Sequence, residues 1–136
     1  MGAGGARRPD IIKLSGISAV GYHGVFEHER REGQQFIADI ALHTDIRAAA
    51  ATDDLARTSD YGALAGQVRD IIAGEPVNLV ETLAERIAGH VLGAFAVGAV
   101  EVTVHKPQAP IEVPFSDVTV SIYRENQPEN HREHRQ

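Results

Sequence analysis

Apolar and polar residues alternate over 34–46. Phe36, Ala38, Ile40, Leu42 and Ile46 fall on one face, and Gln35, Asp39, His43 and Asp45 on the other with Ile37 and Ala41. A period of two predicts a long strand with one buried and one half-polar face. Residues 10–22 alternate as well, but with a slip. Ile12 and Leu14 share a face, and Ile17 and Ala19 continue the alternation shifted by one residue. Ser15-Gly16 sits at the slip, which predicts a β-bulge. The stretch between, 24–33 (GVFEHERREG), is charged and bounded by glycines. It reads as a loop, so the first two strands form an antiparallel pair with a long connection.

The period then becomes helical. After a transition over 48–58 with a turn or cap at Asp53-Asp54, Ser59 and Asp60 are N-cap candidates for a helix over 60–73. Leu64, Val68, Ile71 and Ile72 fit its buried stripe, Gly74 ends it and Pro76 prevents its return. Asn78 is the expected cap of a second helix over 79–94, whose Leu79, Leu83, Ile87 and Val91 recur every fourth position. Residues 98–106 and 117–124 return to period two, with Val100, Val102 and Val104, then Val118, Val120 and Ile122, in register.

The predicted class is α+β, in the order ββααββ: a four-stranded, mainly antiparallel sheet with two helices on one face. Residues 10–125 form a single domain, and 1–9 and 126–136 read as disordered tails; His131 and His134 lie in the second. Such a sheet leaves two edges and an open face. Joining the sheets of several subunits into one barrel would pair the edges, so a homo-oligomeric ring is expected.

Composition narrows the partners. Aromatic residues make up 5% of the chain, so the core must be aliphatic. A formal net charge of -6 with no long basic stripe argues against nucleic acid and against anionic membrane surfaces. There are no cysteines, which removes disulfides, thiolate metal sites and cysteine nucleophiles. No signal-like or membrane-spanning apolar run is present, and a cytoplasmic protein is expected.

Four positions could carry chemistry. Lys106 ends the third strand just before Pro107, and is one of only two lysines, with Lys13. A lysine held at a rigid strand end can move protons; a solvated surface lysine is the simpler reading from spacing alone. Gly21-Tyr22-His23-Gly24, with Glu27, His28 and Glu29, could serve acid–base chemistry or be a polar turn. Glu81 lies in the first turn of the second helix, where the dipole favours a carboxylate; it could also accept two parallel N–H bonds from a flat ligand. Tyr61 packs at a helix start or donates a proton at a site.

Taken in order, GYHGVFEHERREGQ at 21–34, SDY at 59–61, NLVETLAERIA at 78–88 and VHKPQAPI at 104–111 resemble the dihydroneopterin aldolase family of folate biosynthesis. The resemblance covers roughly residues 10–125. It implies the tunnelling (T-) fold, with four subunits joined into a ring, two rings stacked into an octamer, and active sites between neighbouring subunits. The implied reaction is retro-aldol cleavage of a reduced pterin side chain, with a 2′ epimerase activity beside it and neither cofactor, metal nor Schiff base. By position the resemblance assigns Lys106 to proton transfer at the 2′ hydroxyl, Glu29 to orienting the side-chain hydroxyls and Tyr61 to protonating the intermediate. It assigns Glu81 to anchoring the pterin's amino group and ring N–H. Leu79, Val80, Ser59 and Asp60 would line the ring pocket, Val25 would offer backbone contacts, and His23 would give structural support. Asp60 departs from the residues usual there. The alternatives are a triphosphate epimerase on the same scaffold, a pterin-binding protein without catalysis, and a zinc enzyme, for which His23, His28, His43, His90 and His105 are scattered without a compact motif.

Overall fold

The strands form because their alternation gives each an apolar row to bury. In the computed structural model, which describes residues 8–126, β1 (Asp10–Gly21), β2 (Gln34–Thr44), β3 (Ala99–His105) and β4 (Thr119–Glu125) make one antiparallel sheet in that order. Apart from Arg8, Pro9 and Asn126, the expected tails lie outside the described residues. The bulge falls where the slip placed it. Leu14 pairs with Ile40 and Ile17 with Ala38, so Ser15 and Gly16 face Asp39 alone. Gly16 takes a positive φ of 80° and its N–H donates to Asp39 Oδ1 at 2.8 Å. The extra residue keeps Ile12, Leu14, Ile17 and Ala19 all against the core.

The ββααββ reading omitted two short helices. The charged segment taken for a loop contains α1 (Glu27–Glu32), and the transition contains α2 (Arg47–Thr52) and a 3-10 turn at Leu55–Arg57. α3 (Tyr61–Ala73) and α4 (Val80–Ala94) are the two long helices. Asp60 caps α3, its Oδ1 accepting the Ala63 N–H at 3.1 Å, and Gly74 ends it. Asn78 does not cap α4. Leu79 holds the N-cap position without a side-chain bond, and Asn78 Oδ1 instead accepts from Arg30 Nη2. The fourth strand begins two residues later than the expected 117, leaving Asp117 and Val118 in the approach to it.

One face of the sheet carries the core. Phe36, Ile40 and Leu42 from β2 and Val100, Val102 and Val104 from β3 meet Leu64, Val68 and Ile72 of α3 and Leu83, Ile87 and Val91 of α4, all fully buried. Burying each such side chain contributes about 1.5–3 kcal/mol. Phe36 is the one fully buried aromatic among the described residues. α3 lies over β1 and α4 over β3 and β4. Because the two helices pack side by side after a tight turn, the end of α3 and the start of α4 share one end of the domain. The start of α3 and the end of α4 share the other. No helix among the described residues is long and apolar enough to cross a membrane.

Candidate active site

Lys106 follows β3 directly, and its backbone N–H donates to Val118 O at 2.8 Å, extending the ladder by one bond. Its side chain turns inward. Nζ lies 2.7 Å from Glu29 Oε2, with the lysine side chain 12% and the glutamate side chain 2% exposed. A solvated surface lysine is therefore excluded. Nζ also stands 6.0 Å from the centre of the Phe36 ring.

Glu29 is held from three sides. Its Oε2 also accepts from Gln34 Nε2 at 3.0 Å, and its Oε1 accepts the Phe26 N–H at 3.2 Å. The latter is the back-reach of a third-position glutamate to the helix start. Burial pushes the Glu29 carboxyl up, but the Lys106 ammonium, the Gln34 amide and the Phe26 N–H outweigh it and hold the group below its ordinary 4.5. It is an anion beside a cation, out of water. Gly24 makes room for it: a Cβ there would lie 2.2 Å from Glu29 Oε1, and φ is 145°.

His23 fastens this turn to the helix pair. Its Nδ1 accepts the Val77 N–H at 3.1 Å, which leaves Nε2 to donate to Ile72 O at 2.7 Å. Gly24 N–H adds a bond to Val77 O at 2.9 Å, and Arg30 reaches Gly24 O through Nε at 2.9 Å while holding Asn78. The 21–30 segment is thus bracketed to 72–78. Desolvation keeps His23 below its ordinary 6.5, so the fold needs the neutral ring. The stability from this bracket is complete above pH 6.5 and is lost as pH falls through the lower folded value, because the unfolded chain binds the proton first. His23→Phe keeps the ring's bulk but orphans a buried N–H and a buried carbonyl, each costing about 1–3 kcal/mol. Urea unfolding should show that loss, together with a weaker dependence of stability on pH below the ordinary histidine value of 6.5.

Beside this bracket an open cleft of about 440 Å³ is lined by Val25, Arg30, Pro76, Val77, Asn78, Leu79 and Thr82. Val25 and Leu79 are 63% and 50% exposed, large apolar side chains only partly covered by the described residues. Val80 opens α4 and is half-buried, and Glu81 follows it, exposed. Ser59, Asp60 and Tyr61 are elsewhere. Ser59 and Asp60 line a second cavity of about 270 Å³ with Arg57, Thr58 and the end of α4, and Tyr61 is 60% exposed at the start of α3. α3 has 13 residues, so at ~1.5 Å per residue its two ends stand about 20 Å apart. Within one chain the expected site residues form two half-sites: Glu29, Lys106, Val25, Leu79, Val80 and Glu81 at one end, and Ser59, Asp60 and Tyr61 at the other. Gly24, Gln34 and Arg30 belong to the first half-site; Gly24 was named with the 21–24 turn, but Gln34 and Arg30 were not singled out from the sequence. Their only signal was membership of the 21–34 block, since a side chain that braces another residue has no periodicity of its own.

A family model described as FolB, dihydroneopterin aldolase, matches residues 12–123. The chain belongs to the dihydroneopterin aldolase family. It is 58% identical over 115 residues to a dihydroneopterin aldolase of Streptomyces coelicolor, covering 85% of this chain and 97% of that one. It is 46% identical over 116 residues to that of Bacillus subtilis, covering 85% and 97%. Among solved structures, the Escherichia coli dihydroneopterin aldolase in complex with neopterin superposes with a TM-score of 0.78 at 31% identity, covering 85% of this chain and 98% of that one. The four sequence blocks that carried the resemblance thus lie inside a family domain spanning nearly all of the described chain.

Proposed function

We propose that the chain cleaves the side chain of 7,8-dihydroneopterin, giving 6-hydroxymethyl-7,8-dihydropterin and glycolaldehyde in tetrahydrofolate biosynthesis. The observation that carries this is the buried Lys106–Glu29 pair beside an open, partly apolar cleft, in a chain of the aldolase family. Lys106, reacting as the neutral amine, takes the proton from the 2′ hydroxyl, directly or through a water, and becomes the ammonium that Glu29 holds. The bond between C1′ and C2′ then breaks, and its electrons pass into the conjugated C=N of the reduced pterin. A proton delivered to C1′, with Tyr61 as donor, completes the hydroxymethyl product. The ring itself is the electron sink, so neither a Schiff base nor a metal is needed. Glu29 orients the hydroxyls and keeps Lys106 in place. Glu81 accepts the pterin's amino group and ring N–H, with Leu79, Val80, Ser59 and Asp60 along the ring and Val25 at its edge.

The separation of the two half-sites supports a site shared between chains. Tyr61 stands a helix length from Lys106, so a neighbouring copy must supply it. Strand edges on β1 and β4, unpaired among the described residues, support a ring of four subunits closed into a barrel; two such rings stacked into an octamer, in the cytoplasm, complete this reading. Release and rejoining of the same bond would epimerise C2′ as a second outcome.

Incubation of the pure protein with 7,8-dihydroneopterin should release glycolaldehyde, unaffected by chelators. Mixing inactive Lys106→Ala with inactive Tyr61→Phe, under conditions that exchange subunits, should restore activity that neither has alone. Tight binding without product, or turnover restricted to the triphosphorylated substrate, would reject the cleavage reading. Failure of the mixed variants to recover would reject the shared site.

A further inference from the structure

The face of the sheet away from the helices carries a polar chain that the site above does not use. His105, on β3 and adjacent to Lys106, points to that face. Its Nε2 lies 2.6 Å from Asp39 Oδ2 on β2, and its Nδ1 lies 2.7 Å from Asp117 Oδ2 in the approach to β4. Both ring nitrogens face carboxylate oxygens, and a neutral imidazole has only one N–H. The geometry therefore requires an imidazolium. Each carboxylate is engaged again through its other oxygen. Asp39 Oδ1 accepts the Gly16 N–H of the β1 bulge, and Asp117 Oδ1 accepts the Val118 N–H at 2.8 Å. Val118 O is the acceptor for the Lys106 N–H. The loop from 107 to 118 has one more tie, Gln108 Oε1 accepting the Gln35 N–H at 3.0 Å.

From this geometry we infer that His105 is a positioning residue for Lys106: as an imidazolium strapped between Asp39 and Asp117, it fixes the strand end and the loop that aim the lysine. The kinetic part rests on the aldolase reading; the structural part does not. Deprotonation would leave one ring nitrogen lone pair facing a carboxylate, release one end of the strap and slacken Val118. The charged groups around the ring are Asp39 on β2 and Asp117 in the loop, with Lys13 on β1 acting on Asp39; the residue opposite on β4 is Thr119. Asp39, then Asp117, raise His105 above its ordinary 6.5. Burial pushes Asp39 up, but His105, the Gly16 N–H and Lys13 outweigh it and keep it below its ordinary 3.8. The contribution of His105 is thus complete below pH 6.5 and is lost as pH rises through its raised folded value. That of Asp39 is present above pH 3.8 and is lost as pH falls through its lowered one.

The test combines imidazole NMR titration, amide hydrogen exchange and kinetics on the full chain, in the wild type, His105→Gln and Asp117→Asn. Asparagine keeps an oxygen for the Val118 N–H and turns an N–H toward Nδ1, which a neutral ring accepts while its Nε2–H donates to Asp39, so it keeps the strap without the charge and serves if His105→Gln does not fold. In the wild type, His105 should titrate above 6.5, and kcat should fall along the same alkaline step. Both variants should lose that step, and His105→Gln should also exchange the Lys106 amide faster and lose kcat by up to ~100-fold, the cost of a misplacement of about 1 Å, with KM little changed. A His105 that titrates at or below its ordinary value would overturn the proposal. So would a His105→Gln protein that keeps the wild-type exchange rate at Lys106, or either variant with the wild-type pH profile. A wild type that releases no glycolaldehyde would reject the aldolase reading instead, leaving titration and exchange to decide the strap.

Discussion

Lys106→Ala is expected to lower kcat/KM for 7,8-dihydroneopterin by roughly 10²–10⁴-fold, the usual contribution of a positioned proton-transfer group. The substitution also leaves Glu29 as a 2%-exposed anion without its counter-charge. Removing one partner of a buried pair costs about 3–5 kcal/mol. Here the Gln34 amide and the Phe26 N–H remain on the carboxylate and soften the loss. Activity and stability must therefore be separated. Adding Glu29→Gln to Lys106→Ala removes the stranded charge, so the double variant should regain stability in urea unfolding while its activity stays lost. Recovery of activity in the double variant would show that Lys106 acts as a structural counter-ion and not in the reaction. Glycolaldehyde release under single-turnover conditions, followed against pH, would check the same point without depending on substrate affinity.

Gly24→Ala should collapse the same half-site without touching either charged group. The new Cβ would overlap Glu29, at 2.2 Å from Oε1 and 2.4 Å from Cδ, at a backbone φ of 145°. The backbone conformation alone costs about 1–3 kcal/mol for a residue other than glycine. The overlap must then be relieved by moving Glu29, which is pinned by two hydrogen bonds and an ion pair. Activity should fall about as far as in a variant lacking the Glu29 carboxylate. Two other glycines calibrate the result. Gly16→Ala also has a positive φ, 80°, but meets nothing within 4 Å; it should cost only about 1–2 kcal/mol of backbone strain and keep activity. Gly66→Ala lies inside α3 with open space around it, and should stabilise by about 0.5–1 kcal/mol. Thermal or urea unfolding of the three variants, with initial rates, tests this order. A Gly24→Ala protein as stable and active as Gly16→Ala would show that the tight packing of Glu29 is not required.

How much of this was legible in the chain depends on the range of each interaction. The bulge at Ser15-Gly16 could be read because an extra residue shifts the alternation visibly. The cap at Asp60 and the stop at Gly74 could be read because both act within one turn of their helix. The fold class followed from periods of two and of 3.6, which report a buried face without naming what covers it. α1 could not be read from its pattern. Its single buried side chain is Glu29, and a buried charge looks like a surface charge until its partner is known. Asn78 failed as a cap for a related reason: Arg30, distant in sequence, takes its oxygen.

The amino-acid order by itself determined the strands and two long helices, the aliphatic core, the kinked first strand and, through four ordered blocks, the family. Those features come from local propensity and from one-dimensional periodicity, which survive without knowledge of contacts. Only the tertiary structure decided that Lys106 and Glu29 meet out of water, that His23 clamps the first half-site, that His105 bridges two carboxylates and that Tyr61 stands at the far end of a helix from the lysine. Each of these joins residues that lie far apart in the chain. Their energies depend on burial and on distances below about 3 Å, and neither quantity is encoded at any single position.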